Sequence, residues 1–186
     1  EWQQIREGAI DLPETEVARI EHYFEPPPFT VSTDAGLDAA RHGDSEFNTW
    51  LERNVNAHKQ PGYAIATISL KPAGKPPGDI SAEQMEVVAN LAECYSFDEL
   101  RATHQQNLVL PHVRKSDLFE VWETLKAHGL ANANRGLISD IIACPGMDFC
   151  SLATARSLPV AKEISMRFAD IAYQQDIGDL RLNISG

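Results

Sequence analysis

Residues 63–95 read YAIATISLKPAGKPPGDISAEQMEVVANLAECY, and this stretch sets the class of fold. Its opening residues are apolar and rich in β-branched side chains, which predicts a strand over 63–70. The Pro- and Gly-rich residues 71–79 predict a loop. Ser81 and Gln84 then match a capping box, in which each side chain satisfies a backbone N–H of the first helical turn.

A helix and a second set of extended segments follow this cap. Apolar residues recur every three or four positions and predict a helix over about 82–95. The segments 100–105 and 108–113 predict a hairpin or a bent strand. A second amphipathic helix opens at Ser116 and stops at Gly129. The order β-α-β-β-α predicts an α+β unit with helices on one face of a small antiparallel sheet, similar to half of a ferredoxin-like fold.

The rest of the chain differs in character from this unit. Residues 1–55 carry only short helical patterns, at 15–24 and around Phe47, and we expect an arm or linker there. Residues 56–132 hold the α+β unit. Residues 133–186 begin a second domain, in which a short buried strand leads into a cysteine loop, a helix and a final strand.

Both ends of the sequence favour a piece of a longer protein. The first residue is Glu1 and not Met, which is typical of a processed or excised chain. The last strand pattern ends at Ser185 and Gly186 with no closing element. We therefore expect the second domain to be interrupted.

Composition narrows the class of protein. The net charge is −11, and a surface that acidic repels the phosphates of nucleic acids and of anionic lipids. No apolar run reaches the ~18 residues of a membrane-spanning helix, and no secretory signal is visible at the start. The composition predicts a cytoplasmic protein that binds neither nucleic acid nor membrane.

Two of the three cysteines stand close together. Cys144 and Cys150 have the spacing C-x5-C, with Pro145 and Gly146 directly after the first. Pro-Gly turns the chain, which brings backbone N–H groups round to the sulfur and favours a thiolate that binds a soft metal such as iron. Unligated thiols are the open alternative, and two thiolates do not complete a four-cysteine cluster. Cys94 is predicted to be a small core side chain on the helix 82–95.

A row of polar residues suggests a second binding surface. Arg101, Thr103, Gln105 and Asn107 alternate along a predicted strand and would share one face. Such a face requires a polar counterpart, which is either water or a bound anionic cofactor.

The remaining polar candidates have simpler interpretations. His104 and His112 fit either cofactor contacts or hydrogen-bonded histidines of the sheet. Lys71 and Lys75 are predicted to be solvated loop residues. Two further arginines are candidate contacts for an anion, namely Arg114 and Arg156.

Three separated motifs together resemble one known family. They are ELRATHQQNLVL (99–110), ACPGMDFCSLATAR (143–156) and LNISG (182–186). In this order and spacing they resemble the C-terminal half of sirohaem-dependent sulfite and nitrite reductases. The resemblance covers roughly residues 45 to 186.

The resemblance implies both a fold and cofactors. The family is built from a duplicated unit, each half of which has a ferredoxin-like half-domain followed by an α/β domain. The second α/β domain holds a [4Fe-4S] cluster, which is linked to the sirohaem iron. Cys144 and Cys150 match the first pair of cluster ligands, and Gly186 matches the glycine directly before the second pair. Arg101, Gln105 and Asn107 are then expected to line the cofactor cleft.

The resemblance also implies a reaction and partners. Electrons arrive singly at the cluster and pass to the sirohaem iron, where sulfite is reduced to sulfide, or nitrite to ammonia, in six one-electron steps. A ferredoxin or a flavoprotein reductase is the expected electron donor. The cationic residues that hold the substrate lie mainly in the N-terminal half of the family, which this chain lacks, so the piece is expected to be inactive alone.

Two other interpretations stay open at this point. The chain could be a non-catalytic α+β binding module with incidental cysteines, in which case the thiols are buried or divergent. It could also be a thiol redox switch, in which case Cys144 and Cys150 form a disulfide or one thiol has a low pKa.

Overall fold

The structure is a computed structural model that describes Gln3 and residues 12–32, 34 and 36–186. The chain divides into two compact units, Glu1–Thr30 and Val31–Gly186. In the first unit, helix α1 (Glu14–His22) confirms the helical pattern predicted there, and none of its described residues is buried.

The second unit contains the predicted α+β arrangement. Its elements in chain order are α2 (Leu37–Gly43), α3 (Ser45–Asn54), β1 (Val55–Ala57), β2 (Tyr63–Ile68), α4 (Ala82–Tyr95), β3 (Arg101–Ala102), β4 (Leu108–Arg114), α5 (Leu118–Ala127), β5 (Ile142–Ala143), α6 (Ser157–Arg167), α7 (Ile171–Ile177) and β6 (Asn183–Ile184). No helix among the described residues is long and apolar enough to cross a bilayer.

Strands β1 to β4 form one antiparallel sheet in the order β1-β2-β4-β3. The segment β2-α4-β3-β4-α5 has the predicted β-α-β-β-α order, so the ferredoxin-like half-domain is confirmed as the fold class. Strand β1 was not predicted, because three residues of mixed exposure carry no readable alternation.

The capping box starts helix α4 where the sequence places it. The backbone N–H of Gln84 donates to Ser81 Oγ at 3.2 Å, and the backbone N–H of Ser81 donates to Gln84 Oε1 at 3.1 Å. Two N–H groups that a helix N-terminus leaves without partners are thereby satisfied. The helix then runs Ala82–Tyr95, as predicted.

The main core lies between the sheet and helices α3, α4 and α5. Alternate residues of β2, Ala64, Ala66 and Ile68, belong to it, as the period of a strand requires. Helix α3 contributes Phe47 and Trp50, and the Phe47 ring lies 5.3 Å from that of Trp122 between centroids. The predicted packing face of α3 is therefore confirmed.

A second, smaller sheet pairs β5 with β6 in parallel. Ile141, Ala143 and Ala161 form its core, with helix α6 packed against it. The apolar face predicted for this helix is correct only in part. Ile164 packs against this core, but Val160 is 49% exposed, and the buried positions are the small residues Ser157, Ala161 and Ser165. Close approach of the helix to the sheet selects small side chains that a hydrophobic pattern does not register.

The polar strand face predicted over 101–107 does not form. Strand β3 ends at Ala102, and residues 103–107 make a turn in which Thr103 N donates to Asn107 O at 2.8 Å. Gln106 adopts φ +57° within this turn. The predicted domain boundaries at residues 55 and 132 stay predictions.

Candidate functional site

The loop 144–150 begins directly after strand β5. Cys144 N donates to Ile184 O at 3.0 Å, which extends the pairing of β5 with β6 up to the cysteine. Gly146 N donates to Cys144 Sγ at 3.3 Å. Backbone N–H groups of Gly186 and Gly146 hold the pKa of the Cys144 thiol below its usual range, although its slight burial acts in the opposite direction. The geometry therefore favours the thiolate, which is the form that binds metals.

Glycine allows the loop to close on itself. Gly146 has φ +63°, and a Cβ there would lie 2.7 Å from Ala155 O and from Ser157 Oγ. The carbonyl of Gly146 accepts from the backbone N–H of Cys150 at 2.9 Å. Ser157 Oγ donates to Cys144 O, so the first residue of helix α6 is hydrogen-bonded to the backbone of the first cysteine.

Both cysteines of this loop are free thiols and are partly exposed. Three apolar side chains around them are well exposed, namely Met147, Phe149 and Leu152. A loop with thiols and apolar side chains at the surface is typical of a site that a ligand or another protein segment covers. No disulfide joins these two thiols, whereas the lowered pKa of Cys144 is the other sign that a thiol switch would show.

A cleft of about 500 Å³ lies beside the loop. Pro145 and Phe149 line one side of it, and Thr103, Gln106 and Asn107 line another. The turn 103–107 and the cysteine loop therefore face the same cleft.

A buried ion pair ties the half-domain to the segment before the cysteines. Lys71 Nζ lies 2.6 Å from Asp140 Oδ1, and both side chains are almost completely buried. Lys71 Nζ also donates to Gln105 O, and Asp140 Oδ2 accepts from Gly136 N. Burial lowers the pKa of Lys71, and the hydrogen bond and charge of Asp140 act against that shift. The prediction that Lys71 is a solvated loop residue was wrong, because a partner distant in sequence draws it inward.

The three predicted cofactor residues occupy different surroundings. Arg101 is exposed and pairs with Glu99. Gln105 lies in the turn and is half-buried, with its carbonyl bound to Lys71. Asn107 is buried, and its side chain accepts from Leu70 N at 3.1 Å. Of the three, Asn107 lines the cleft, and the role of each stays a prediction.

Sequence reasoning missed Gln106 and Asp140. Asp140 could have been identified from the sequence, because a lone carboxylate within the apolar run 138–143 indicates a buried charge that has a partner. Gln106 has no such signal, because its role depends on a turn that the periodicity did not reveal.

The remaining candidates lie elsewhere. Cys94 is exposed on α4, so its prediction as a core side chain was wrong. Three more candidates are also exposed, namely His104, Lys75 and Arg114. Arg156 pairs with Asp148 at 2.6 Å across the base of the cysteine loop.

A chain of hydrogen bonds links two histidines to a carboxylate. His58 Nε2 lies 3.0 Å from His112 Nδ1, and His112 Nε2 lies 2.9 Å from Glu99 Oε2. Gln60 N donates to His58 Nδ1 at 2.8 Å. Burial, and then the charge of His112, lower the pKa of His58. The prediction of His112 as a hydrogen-bonded sheet histidine is thereby confirmed.

We expect the burial of His58 beside His112 to make stability depend on pH. Because the pKa of His58 is lower in the folded protein, the unfolded chain binds the proton more readily. The free energy of unfolding should therefore fall as the pH drops below about 6.5, the value of a free histidine. Denaturation of the His58→Gln variant between about pH 7 and pH 5 should show a shallower fall. His104→Gln, at an exposed position, is the control, and an equal change in both variants would contradict the assignment.

The residues present fit half of a four-cysteine iron–sulfur site. The loop carries two free thiols, those of Cys144 and Cys150, and the close approach at Gly146 keeps its backbone N–H near the Cys144 sulfur. Four thiolates complete a [4Fe-4S] site. Among the described residues, no group of three or more His, Cys, Asp or Glu side chains is placed to hold a metal ion.

Comparison with known proteins shows that the chain is similar to nitrite and sulfite reductases. Residues 58–128 match the family model described as the nitrite/sulfite reductase ferredoxin-like half domain. A chloroplastic ferredoxin–nitrite reductase of Zea mays is 32% identical over 142 residues, which are 72% of this chain and 24% of the relative. The sulfite reductase [ferredoxin] 2 of Mycolicibacterium paratuberculosis is 32% identical over 113 residues, 59% of this chain and 20% of the relative.

A solved structure shares the fold. The Mycobacterium tuberculosis NirA protein superimposes with a TM-score of 0.55 at 24% identity, over 72% of this chain and 24% of that one. The chain spans about a quarter or less of the length of the curated relatives named above.

Proposed function

Because the chain belongs to the nitrite/sulfite reductase family, we propose that it is part of a reductase that uses sirohaem and a [4Fe-4S] cluster to convert sulfite to sulfide or nitrite to ammonia. One observation carries the proposal. Cys144, on a loop shared with Cys150, accepts hydrogen bonds to its sulfur from backbone N–H groups, and such bonds stabilise a thiolate and tune a cluster that it binds.

The residues of this chain have distinct roles in the proposal. Cys144 and Cys150 hold one side of the cluster. The N–H groups of Gly146 and Gly186 stabilise negative charge on the Cys144 sulfur, and such hydrogen bonds tune the potential of a cluster. When bound, the cluster and sirohaem supply the one-electron transfers of a six-electron reduction.

The cleft beside the loop is the proposed place for part of the sirohaem. Asn107 lines it, and Gln105 and Arg101 flank it on the turn and on β3. Arg101 pairs with Glu99 but stays exposed, so an anionic substituent of a cofactor could approach its guanidinium group.

Two cysteines do not complete a four-cysteine cluster, so the proposal requires further partners. We propose that another part of the same polypeptide supplies the remaining cluster ligands and the cationic residues for sulfite or nitrite. A ferredoxin, which the names of the relatives mention, or a flavoprotein is the proposed electron donor. The 186-residue piece is then inactive alone, and its proposed location is the cytoplasm.

Iron analysis of the full-length polypeptide tests the proposal. Iron, acid-labile sulfide and the absorbance spectrum are measured after anaerobic reconstitution with iron, sulfide and sirohaem. We expect Cys144→Ser and Cys150→Ser each to reduce cluster content to about a tenth or less, because each removes one of four thiolate ligands. Cys94→Ser, which removes an exposed thiol on α4, should keep full content.

Two outcomes would overturn the proposal. A wild-type polypeptide that takes up no iron would favour the binding module. A disulfide between Cys144 and Cys150 that forms reversibly under mild oxidants, in a protein without iron, would favour the thiol switch.

A further inference from the structure

The strand that leads to Cys144 has a partner on only one side within its small sheet. Ile142 N donates to Leu182 O and Cys144 N donates to Ile184 O, both at 3.0 Å. The backbone N–H groups of Ile142 and Cys144 therefore point toward β6. Because backbone groups alternate along a strand, the N–H and C=O of Ala143 point to the opposite edge. An edge of this kind needs a hydrogen-bonding partner when it is buried, and Ala143 is buried.

A single side chain supplies that partner. Gln106 Nε2 donates to Ala143 O at 2.9 Å, and Ala143 N donates to Gln106 Oε1 at 3.1 Å. The primary amide thus makes the pair of bonds that a neighbouring strand would make. It does so at the residue directly before Cys144.

The backbone at Gln106 is held in an unfavourable conformation to make this contact. Its φ of +57° lies in the left-handed region, which L residues other than glycine rarely adopt. Gly78 leaves room for the turn, since a Cβ there would lie 3.2 Å from Gln106 Cβ. The surrounding contacts therefore fix both the turn and the direction of the amide.

Neighbouring contacts hold the same turn against the segment before β5. Asn107 Nδ2 donates to Asp140 Oδ1 at 3.1 Å, and Lys71 bridges Gln105 O and Asp140. These contacts connect the half-domain to the segment before strand β5, which leads to Cys144, and none of them involves a cysteine sulfur.

We propose that Gln106 is a positioning residue. Its side-chain amide replaces an edge strand beside Ala143 and thereby fixes the position of Cys144 for metal binding. The part that concerns metal binding rests on the proposed function, whereas the part that concerns the strand does not. Gln106 transmits the position of the half-domain to the cysteine loop, so that the two parts of the chain keep one geometry.

Hydrogen exchange in the full-length polypeptide tests the strand contact. We expect the Ala143 N–H to exchange about tenfold faster in Gln106→Met, which keeps the length of the side chain but removes its polar atoms. Gln106→Glu keeps an acceptor for this N–H and should retain most of the protection. Gln175→Met, at an exposed position of α7, should leave exchange at Ala143 unchanged.

Spectroscopy of the reconstituted protein tests the consequence for the cluster. We expect Gln106→Met to shift the reduction potential and the electron paramagnetic resonance signal of the cluster, with Gln106→Glu and Gln175→Met retaining a loaded cluster. Unchanged exchange at Ala143 in Gln106→Met, or equal exchange in Gln106→Met and Gln106→Glu, would overturn the edge-strand role. Faster exchange in Gln106→Met with an unaltered potential and signal would overturn the role toward the metal.

The two proposals fail in different ways. A wild-type polypeptide that takes up no iron would refute the reductase function, while the exchange rates at Ala143 would still decide whether Gln106 acts as an edge strand.

Discussion

Replacement of Lys71 by Met is expected to lower the free energy of unfolding by about 3–5 kcal/mol, the usual penalty for leaving one partner of a buried ion pair uncompensated. The carboxylate of Asp140 would then lack its cationic partner in a site where 4% of the side chain is exposed. The hydrogen bonds from Asn107 and Gly136 would remain but would not neutralise that charge. Urea denaturation followed by circular dichroism measures the change.

Two further variants isolate the ion pair. Lys71→Met combined with Asp140→Asn removes both charges, so the double variant should be more stable than Lys71→Met alone. Lys75→Met is the matched control in the same loop, where the side chain is exposed, and should change stability by less than about 0.5 kcal/mol. A loss of less than about 1 kcal/mol in Lys71→Met would contradict the importance of this ion pair for stability.

Replacement of Gly146 by Ala is expected to distort the cysteine loop. A left-handed conformation costs an L residue about 1–2 kcal/mol, and the new Cβ would also lie 2.7 Å from the backbone oxygen of Ala155. Because neither Ala155 O nor helix α6 can retreat without breaking the contacts of the loop, the loss of stability should exceed the dihedral penalty alone. Denaturation measures that loss, and iron content of the reconstituted full-length polypeptide should fall with it.

Gly129→Ala separates the two causes. Gly129 has φ +68° after helix α5, but a Cβ there would meet nothing within 4 Å, so only the dihedral penalty applies. We expect this variant to lose about 1–2 kcal/mol and to keep full iron content. If Gly146→Ala proved no worse than Gly129→Ala in both measurements, the close packing of the loop would not matter to the site.

Local patterns were sufficient for much of the fold. The capping box at Ser81 and Gln84 places the start of α4, since both partners lie within one helical turn. The apolar, β-branched composition of 63–70 and the period of three to four residues in α5 identify their elements for the same reason. The spacing of Cys144 and Cys150, with Pro-Gly between them, likewise identifies the loop in which the thiols lie.

Contacts between distant residues were beyond such patterns. Lys71 and Asp140 are 69 positions apart, and Gln106 and Ala143 are 37 apart, so no periodicity links them. Lys71 resembles a loop residue until folding places a carboxylate beside it, and residues 101–107 resemble a strand until Thr103 and Asn107 close a turn. The amino-acid sequence thus specifies the elements and the cysteine loop through neighbours along the chain. The burial of Lys71 and the contact of Gln106 with Ala143, next to Cys144, arise only when folding brings separate segments together, because a hydrogen bond or ion pair depends on distance in space.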